Sequence, residues 1–162
     1  MAEFQGKRVA HQFTQINVAT PAEVFPLLCP VRERDWVPGW KYRMVYSQSG
    51  VAENGCIFST PNEDGSETTW IVTEHDPARH RVAFVWVHPG MVASRIEIQL
   101  AAHAAGETRA DIRYTYTGLS PQGNKEVERF DVKWFEGKMK NWEAAINHFL
   151  RTGKIIEAQT WE

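Results

Sequence analysis

Two cysteines, Cys29 and Cys56, are all this chain carries, with no metal-ligand spacing and no further cysteines around them. That excludes a disulfide scaffold and leads us to expect free thiols in a reducing, cytoplasmic compartment. Long apolar runs are missing too. The longest, residues 82–87, covers six positions, far short of the roughly 20 that a membrane-spanning helix needs, and the opening MAEFQGKRVA has no apolar h-region. Nor is there an excess of positive charge: 18 Lys and Arg stand against 20 Asp and Glu, for a net charge of −2, and the basic residues are scattered. A surface of that kind has little with which to neutralise phosphates, so nucleic acid is not expected as a partner.

The signatures of nucleophilic and nucleotide-dependent chemistry are also lacking. There is no Gly-x-Ser-x-Gly elbow, phosphate loop, Gly-x-Gly-x-x-Gly or recognisable Cys-His spacing. The six histidines, His11, His75, His80, His88, His103 and His148, form no His-x-His, His-x-x-x-His or Glu-x-x-His ligand set. Neither a metal nor a cofactor is expected. No repeat, linker or low-complexity run appears, and 162 residues suit a single domain over 1–162 built on one core.

What the chain has in plenty is aromatic surface, with seven Trp and eight Phe. Such side chains bury large areas, so either the core or a pocket is aromatic. Residues 123–152 place Val127, Phe130, Trp134, Phe135, Met139, Trp142, Ile146, Phe149 and Leu150 mostly three or four apart, without a proline. This predicts one amphipathic helix with Asn124 as N-cap and Arg151 and Gly153 at its far end, roughly 45 Å long. Gly137 divides it at a cost near 1 kcal/mol relative to alanine, either for close approach of a ligand, as a hinge, or for packing of a bulky neighbour such as Trp36 or Trp40. The segment 119–124, with Pro121 and Gly123, is then expected to be a loop that lets the N-terminal half move as a lid.

Ahead of that helix, residues 11–19 alternate as a strand, Thr20-Pro21 opens a short helix over 22–28 limited by Pro26 and Pro30, and a second short piece covers 31–36. From residue 41 the period is two, predicting strands at 41–47, 55–60, 67–75, 81–88, 93–101 and 108–117. Short, turn-rich connections make the neighbours antiparallel. Pairing Ile98 with Ile112 sets Glu97 opposite Arg113, whereas a two-residue slip opposes like charges, so the first register is favoured. A three-residue loop Pro89-Gly90-Met91 pairs Phe84 with Ile96 and turns Phe84 and Trp86 inward; a two-residue loop turns the valines inward instead. Pro-Gly geometry favours the longer loop.

Four stretches, Ile16-Asn-Val-Ala-Thr-Pro-Ala-Glu-Val-Phe25, Trp36-Val-Pro-Gly-Trp40, Thr73-Glu-His-Asp-Pro77 and the closing 142–153 segment, sit in this order of elements. Together they resemble the START-like (SRPBCC) superfamily, which includes Bet v 1-type and polyketide cyclase/dehydrase-like proteins. The resemblance implies an α+β helix-grip fold: a curved seven-stranded antiparallel sheet, with two short helices after strand 1, wrapped around a long C-terminal helix. It also implies a cavity between sheet and helix for lipids, sterols, polyketides or other apolar molecules.

On that basis Phe58, Trp70, Phe84, Trp86, Ile98, Tyr114, Tyr116, Phe130 and Trp134 are candidate ligand-binding residues, with an ordinary packed core as the alternative for each. Glu74, His75 and Asp76 look like an acid/base cluster, yet strand neighbours face opposite ways, so Glu74 and His75 cannot both enter a cavity. Glu128 and Asp131 have the same two readings, acid/base group or solvated surface. The expected role is binding or transport of a small apolar molecule. The alternatives are a cyclase/aromatase-type enzyme using Tyr114, Tyr116 or Glu74 on a bound carbonyl compound, and a co-chaperone-like interaction module. A homodimer is compatible with the sequence.

Overall fold

The computed structural model describes residues 3–157. Strand β1 (Arg8–Asn17) leads into helix α1 (Pro21–Val24), a 3-10 turn (Phe25–Leu27) and helix α2 (Pro30–Glu33). Pro21 occupies the first turn of α1, and the Glu23 carboxylate accepts from Thr20 Oγ1 at 2.8 Å and from Thr20 N at 3.3 Å. Six strands follow, β2 (Arg43–Tyr46), β3 (Ile57–Pro61), β4 (Glu67–Asp76), β5 (Arg81–His88), β6 (Val92–Ala102) and β7 (Thr108–Gly118). They form one seven-stranded antiparallel sheet in the order β1-β7-β6-β5-β4-β3-β2, so β1 closes the sheet beside β7.

The registers are those the charge and turn patterns favour. Ile98 lies opposite Ile112 and Glu97 opposite Arg113. Phe84 lies opposite Ile96, and the β5–β6 connection is the three-residue loop, closed by Met91 N donating to His88 O at 3.0 Å. Val82 and Phe84 are therefore buried on the inner face. The outer face is ionic, with Arg81 bridging Glu74 at 2.7 Å and Glu97 at 3.5 Å, and Arg95 reaching Glu97 at 3.1 Å.

The C-terminal segment departs from the expected single helix. It is two helices, α3 (Pro121–Arg129) and α4 (Val132–Thr152), separated at Phe130 and Asp131. Asp131 caps α4 by accepting from Trp134 N at 2.8 Å, and Phe130 N closes α3 onto Val127 O at 3.1 Å. A His11 ring nitrogen bonds the Phe130 carbonyl at 2.5 Å. Apolar periodicity spans the break because both helices turn the same kind of face inward; the capping aspartate is what ends one and starts the other.

Two further expectations are corrected. Residues 119–124 are not a loop: α3 already begins at Pro121, and Ser120, not Asn124, is its cap, accepting from Gly123 N at 3.0 Å. Asn124 instead accepts from Lys7 N at 2.8 Å and donates to Gln5 O at 3.1 Å. A Cβ on Gly123 would lie 1.7 Å from Met91 O, so α3 is seated directly on the β5–β6 loop rather than hinged above it. Gly137 is no division point either. Helix α4 runs straight through it, and a Cβ there would meet nothing within 4 Å, so no side chain of the protein requires the glycine.

Helix α4 buries Phe135, Met139, Ala145 and Ile146 against the sheet. Its far half is also tied by polar groups to the end of β1 and to Val18 just after it. Asn147 Oδ1 accepts from Val18 N at 3.1 Å, Asn147 Nδ2 donates to Ile16 O at 2.9 Å, and Glu143 accepts from Ile16 N at 2.9 Å. Among the described residues no helix is long and apolar enough to cross a membrane.

Candidate functional site between the sheet and helix α4

A cavity of about 330 Å³ lies between the sheet and the first half of α4. Its sheet wall is Phe58, Trp70, Phe84, Ile96, Ile98 and Tyr114. These come from β3, β4, β5, β6 and β7 at positions that the registers bring to one inner face. Trp70 is central to the wall, stacked on Phe58 at 5.3 Å and edge-on to Phe84 at 6.2 Å, with its indole N–H donating to Thr60 Oγ1 at 3.0 Å. The second wall is Glu33 at the end of α2 and the turn Val37, Pro38, Gly39 and Trp40. Two tryptophan N–H groups fix this segment: Trp36 donates to Leu27 O at 3.0 Å and Trp40 to Pro30 O at 2.9 Å. Helix α4 completes the enclosure with Lys138 and Trp142.

Five of the nine expected ligand-binding residues thus border the cavity: Phe58, Trp70, Phe84, Ile98 and Tyr114. The other four form an aromatic layer beside it. Phe130 stacks on Trp134 at 4.4 Å, Tyr116 meets Phe130 at 4.7 Å, and Trp86 lies 6.2 Å from Tyr116. Tyr116 is fully buried and its hydroxyl has no hydrogen-bond partner among the described residues; nor has Ser94 Oγ, from the residue opposite it on β6.

The acid/base candidates from the sequence lie elsewhere. Glu74 sits on the outer face, bound to Arg81, because a register shift between Val72 and Glu74 moves the strand past its inward position. His75 packs on Phe25 at 5.2 Å. Asp76 approaches Arg79 at 3.8 Å, Glu128 pairs with Lys7, and Asp131 is the α4 cap. Among the described residues no group of three or more His, Cys, Asp or Glu is placed to hold a metal. A larger hollow of about 430 Å³ on the outer sheet face is bordered by Arg81, Glu97, Arg109 and Asp111, whose charges already pair with one another or with neighbours.

Two groups missed by the sequence reading give the cavity its chemistry. The Glu33 side chain, half-buried by surface area, has no hydrogen bond or ion pair to a described residue, and desolvation pushes its carboxyl up to about 8. Lys138 is pushed down to about 8, again by burial. Its nitrogen lies 4.9 Å from the Tyr114 ring centroid and 5.3 Å from that of Trp134. By surface area Lys138 is an exposed residue, since it also borders a groove on the outer side of α4. Water reaches the side chain while aromatic rings flank its nitrogen. Burial first, and the Glu33 charge second, raise the Tyr114 hydroxyl well above its ordinary value. Lys138 was detectable in sequence, standing four residues after Trp134 and four before Trp142, inside the apolar stripe. Glu33 was not, because a four-residue helix has too little periodicity to give its residues a face.

No protein-family model matches the sequence, and no curated protein sequence matches it. Solved structures do match. Ara h 8.0201 aligns with a TM-score of 0.66 at 16% identity over 90% of this chain and 99% of that one. Norcoclaurine synthase from Thalictrum flavum, in complex with dopamine and hydroxybenzaldehyde, aligns with a TM-score of 0.63 at 16% identity over 92% of this chain and 88% of that one. The di-domain ARO/CYC BexL from the BE-7585A biosynthetic pathway aligns with a TM-score of 0.61 at 17% identity over 90% of this chain and 46% of that one. The chain has the helix-grip fold of the Bet v 1-type, START-like proteins.

Proposed function

We propose that the protein binds a small, mainly apolar and aromatic molecule between its sheet and helix α4. The observation that carries this reading is the cavity of about 330 Å³, walled by Phe58, Trp70, Phe84, Trp40 and Trp142, with only a few polar groups among them. Apolar walls with a few converging polar groups are the usual make-up of a small-molecule site. At a packing density of about 0.74 the space accommodates roughly 240 Å³ of ligand, the size of two or three fused rings and less than a sterol. The norcoclaurine synthase complex, with its two small aromatic ligands, is consistent with this size class.

The test combines extraction and titration. Native mass spectrometry of the purified protein, followed by organic extraction, is expected to reveal a co-purifying apolar compound or an empty protein that takes one up. In the second case 2-methylnaphthalene should quench or shift tryptophan emission, because Trp40, Trp70 and Trp142 border the space. Ile98→Phe, which directs a ring into the cavity, should weaken that binding at least tenfold while circular dichroism stays unchanged. Binding unaffected by a folded Ile98→Phe would place the ligand elsewhere and overturn the proposal.

A further inference from the structure

Three groups that normally seek partners, the Glu33 carboxyl, the Tyr114 hydroxyl and the Lys138 nitrogen, border one aromatic cavity without a hydrogen bond or ion pair to any described residue. By surface area Glu33 and Tyr114 are half-buried and Lys138 is exposed, so water solvates them in the free protein and a molecule in the cavity meets all three. Building on the apolar-ligand reading above, we infer that the cavity captures aromatic aldehydes or ketones covalently and reversibly, with Lys138 Nζ forming an imine to the carbonyl carbon and Glu33 handling the protons.

The placement supports each role. Lys138 enters from α4 between the rings of Tyr114 and Trp134, so a flat ligand lying along the sheet wall brings its substituent to the nitrogen. Glu33 stands on the facing wall, at the end of α2. Across the cavity Lys138 faces Glu33 and Tyr114; along the outer groove its neighbours are Arg129, Asp131 and Lys133. Burial holds a fraction of Lys138 as free amine near pH 8 and keeps Glu33 protonated up to about the same pH. A nucleophile and an acid thus coexist, which the ordinary values of lysine and glutamate prevent.

The step balances without a further reactant. The amine lone pair attacks the carbonyl carbon and the C=O electron pair moves to oxygen, which takes one proton as the nitrogen gives one up. Glu33 then protonates the hydroxyl of this carbinolamine, water leaves, and the iminium returns a proton to Glu33. Aldehyde and amine become imine and water. The Tyr114 hydroxyl remains available as a donor to the carbonyl oxygen.

The experiment uses 2-naphthaldehyde with borohydride reduction, read by intact mass and peptide mapping. Lys7, Lys41, Lys125, Lys133, Lys140 and Lys154 are exposed and serve as internal comparators. One reduced adduct is expected, on Lys138, forming at least tenfold faster than on any of them. Lys138→Arg should lose the adduct. Glu33→Gln should slow adduct formation roughly 10²-fold, the usual scale for a lost acid. Labelling spread over the exposed lysines, or persisting unchanged in Lys138→Arg, would overturn the inference. Because mapping is done on the native chain, the outcome does not depend on a variant folding. If 2-methylnaphthalene binds but labelling is unselective, only the covalent step is lost; if neither compound binds, the apolar-ligand reading fails with it.

Discussion

Glu33 and Lys138 sit where an apolar site would ordinarily exclude charge, and the sign of each effect can be worked out. The Glu33 carboxyl, raised from 4.5 to about 8, keeps its proton in the folded protein over a pH range where the unfolded chain has lost it. Stability contributed by this group is therefore full below about pH 4.5, falls as pH rises towards about 8, and stays low beyond. Lys138, lowered from 10.5 to about 8, runs the opposite way: its penalty is complete below about pH 8 and is relieved between there and 10.5. Glu33→Gln removes the first effect alone. Its stabilisation relative to the native chain should grow between pH 5 and pH 8.5, by on the order of 1–3 kcal/mol once partial solvent access is allowed for. Thermal melts at the two pH values check this. A difference that does not change with pH would show that Glu33 is charged throughout.

At the scale of elements, two glycines that look alike in sequence have opposite structural meanings. Gly137 lies on the solvent side of α4 with open space around it, so Gly137→Ala should raise stability by about 0.4–1 kcal/mol through helix propensity and a less flexible unfolded chain. Gly123→Ala drives a methyl into the Met91 carbonyl and must push α3 off the β5–β6 loop, costing upwards of roughly 1–3 kcal/mol. Denaturant melts of the two variants should move in opposite directions, and a stabilised Gly123→Ala would refute the close seating of α3. The strands and short helices were legible because binary pattern, Thr20-Pro21 and turn chemistry agreed, and the Glu97–Arg113 pairing fixed a register. The break at Phe130 and Asp131 was not, since apolar spacing continues across it and an aspartate inside a charged stretch does not announce itself as a cap. The ties from Asn147 to β1 were equally hidden. They join residues about 130 apart in sequence through backbone groups that no pattern encodes.

For the whole molecule, the sequence indicated a sheet gripping a helix and which strand faces turn inward, yet it misjudged which part of the enclosure is least tied down. The sheet wall is held by continuous ladders, and α3 is fixed by Gly123, Ser120 and the Asn124 bonds to the N-terminal segment. By contrast, the wall formed by α2 and the Val37–Trp40 turn rests on a helix of four residues and a few hydrogen bonds, chiefly those of the Trp36 and Trp40 indoles. Local opening free energy follows the density of such bonds and contacts, so access to the cavity should run through residues 30–40, not 119–124. Hydrogen exchange with and without saturating 2-methylnaphthalene tests this. At a ligand concentration 100 times Kd, global stability rises by about 2.7 kcal/mol, a melting shift of roughly 5–10 °C. Added protection at sub-global openings should be greatest at residues 30–40 and in the first half of α4, and smallest in α3. Protection gained first and most strongly in α3 would mean that this helix, despite its seating on Met91, is the element that moves to admit the ligand.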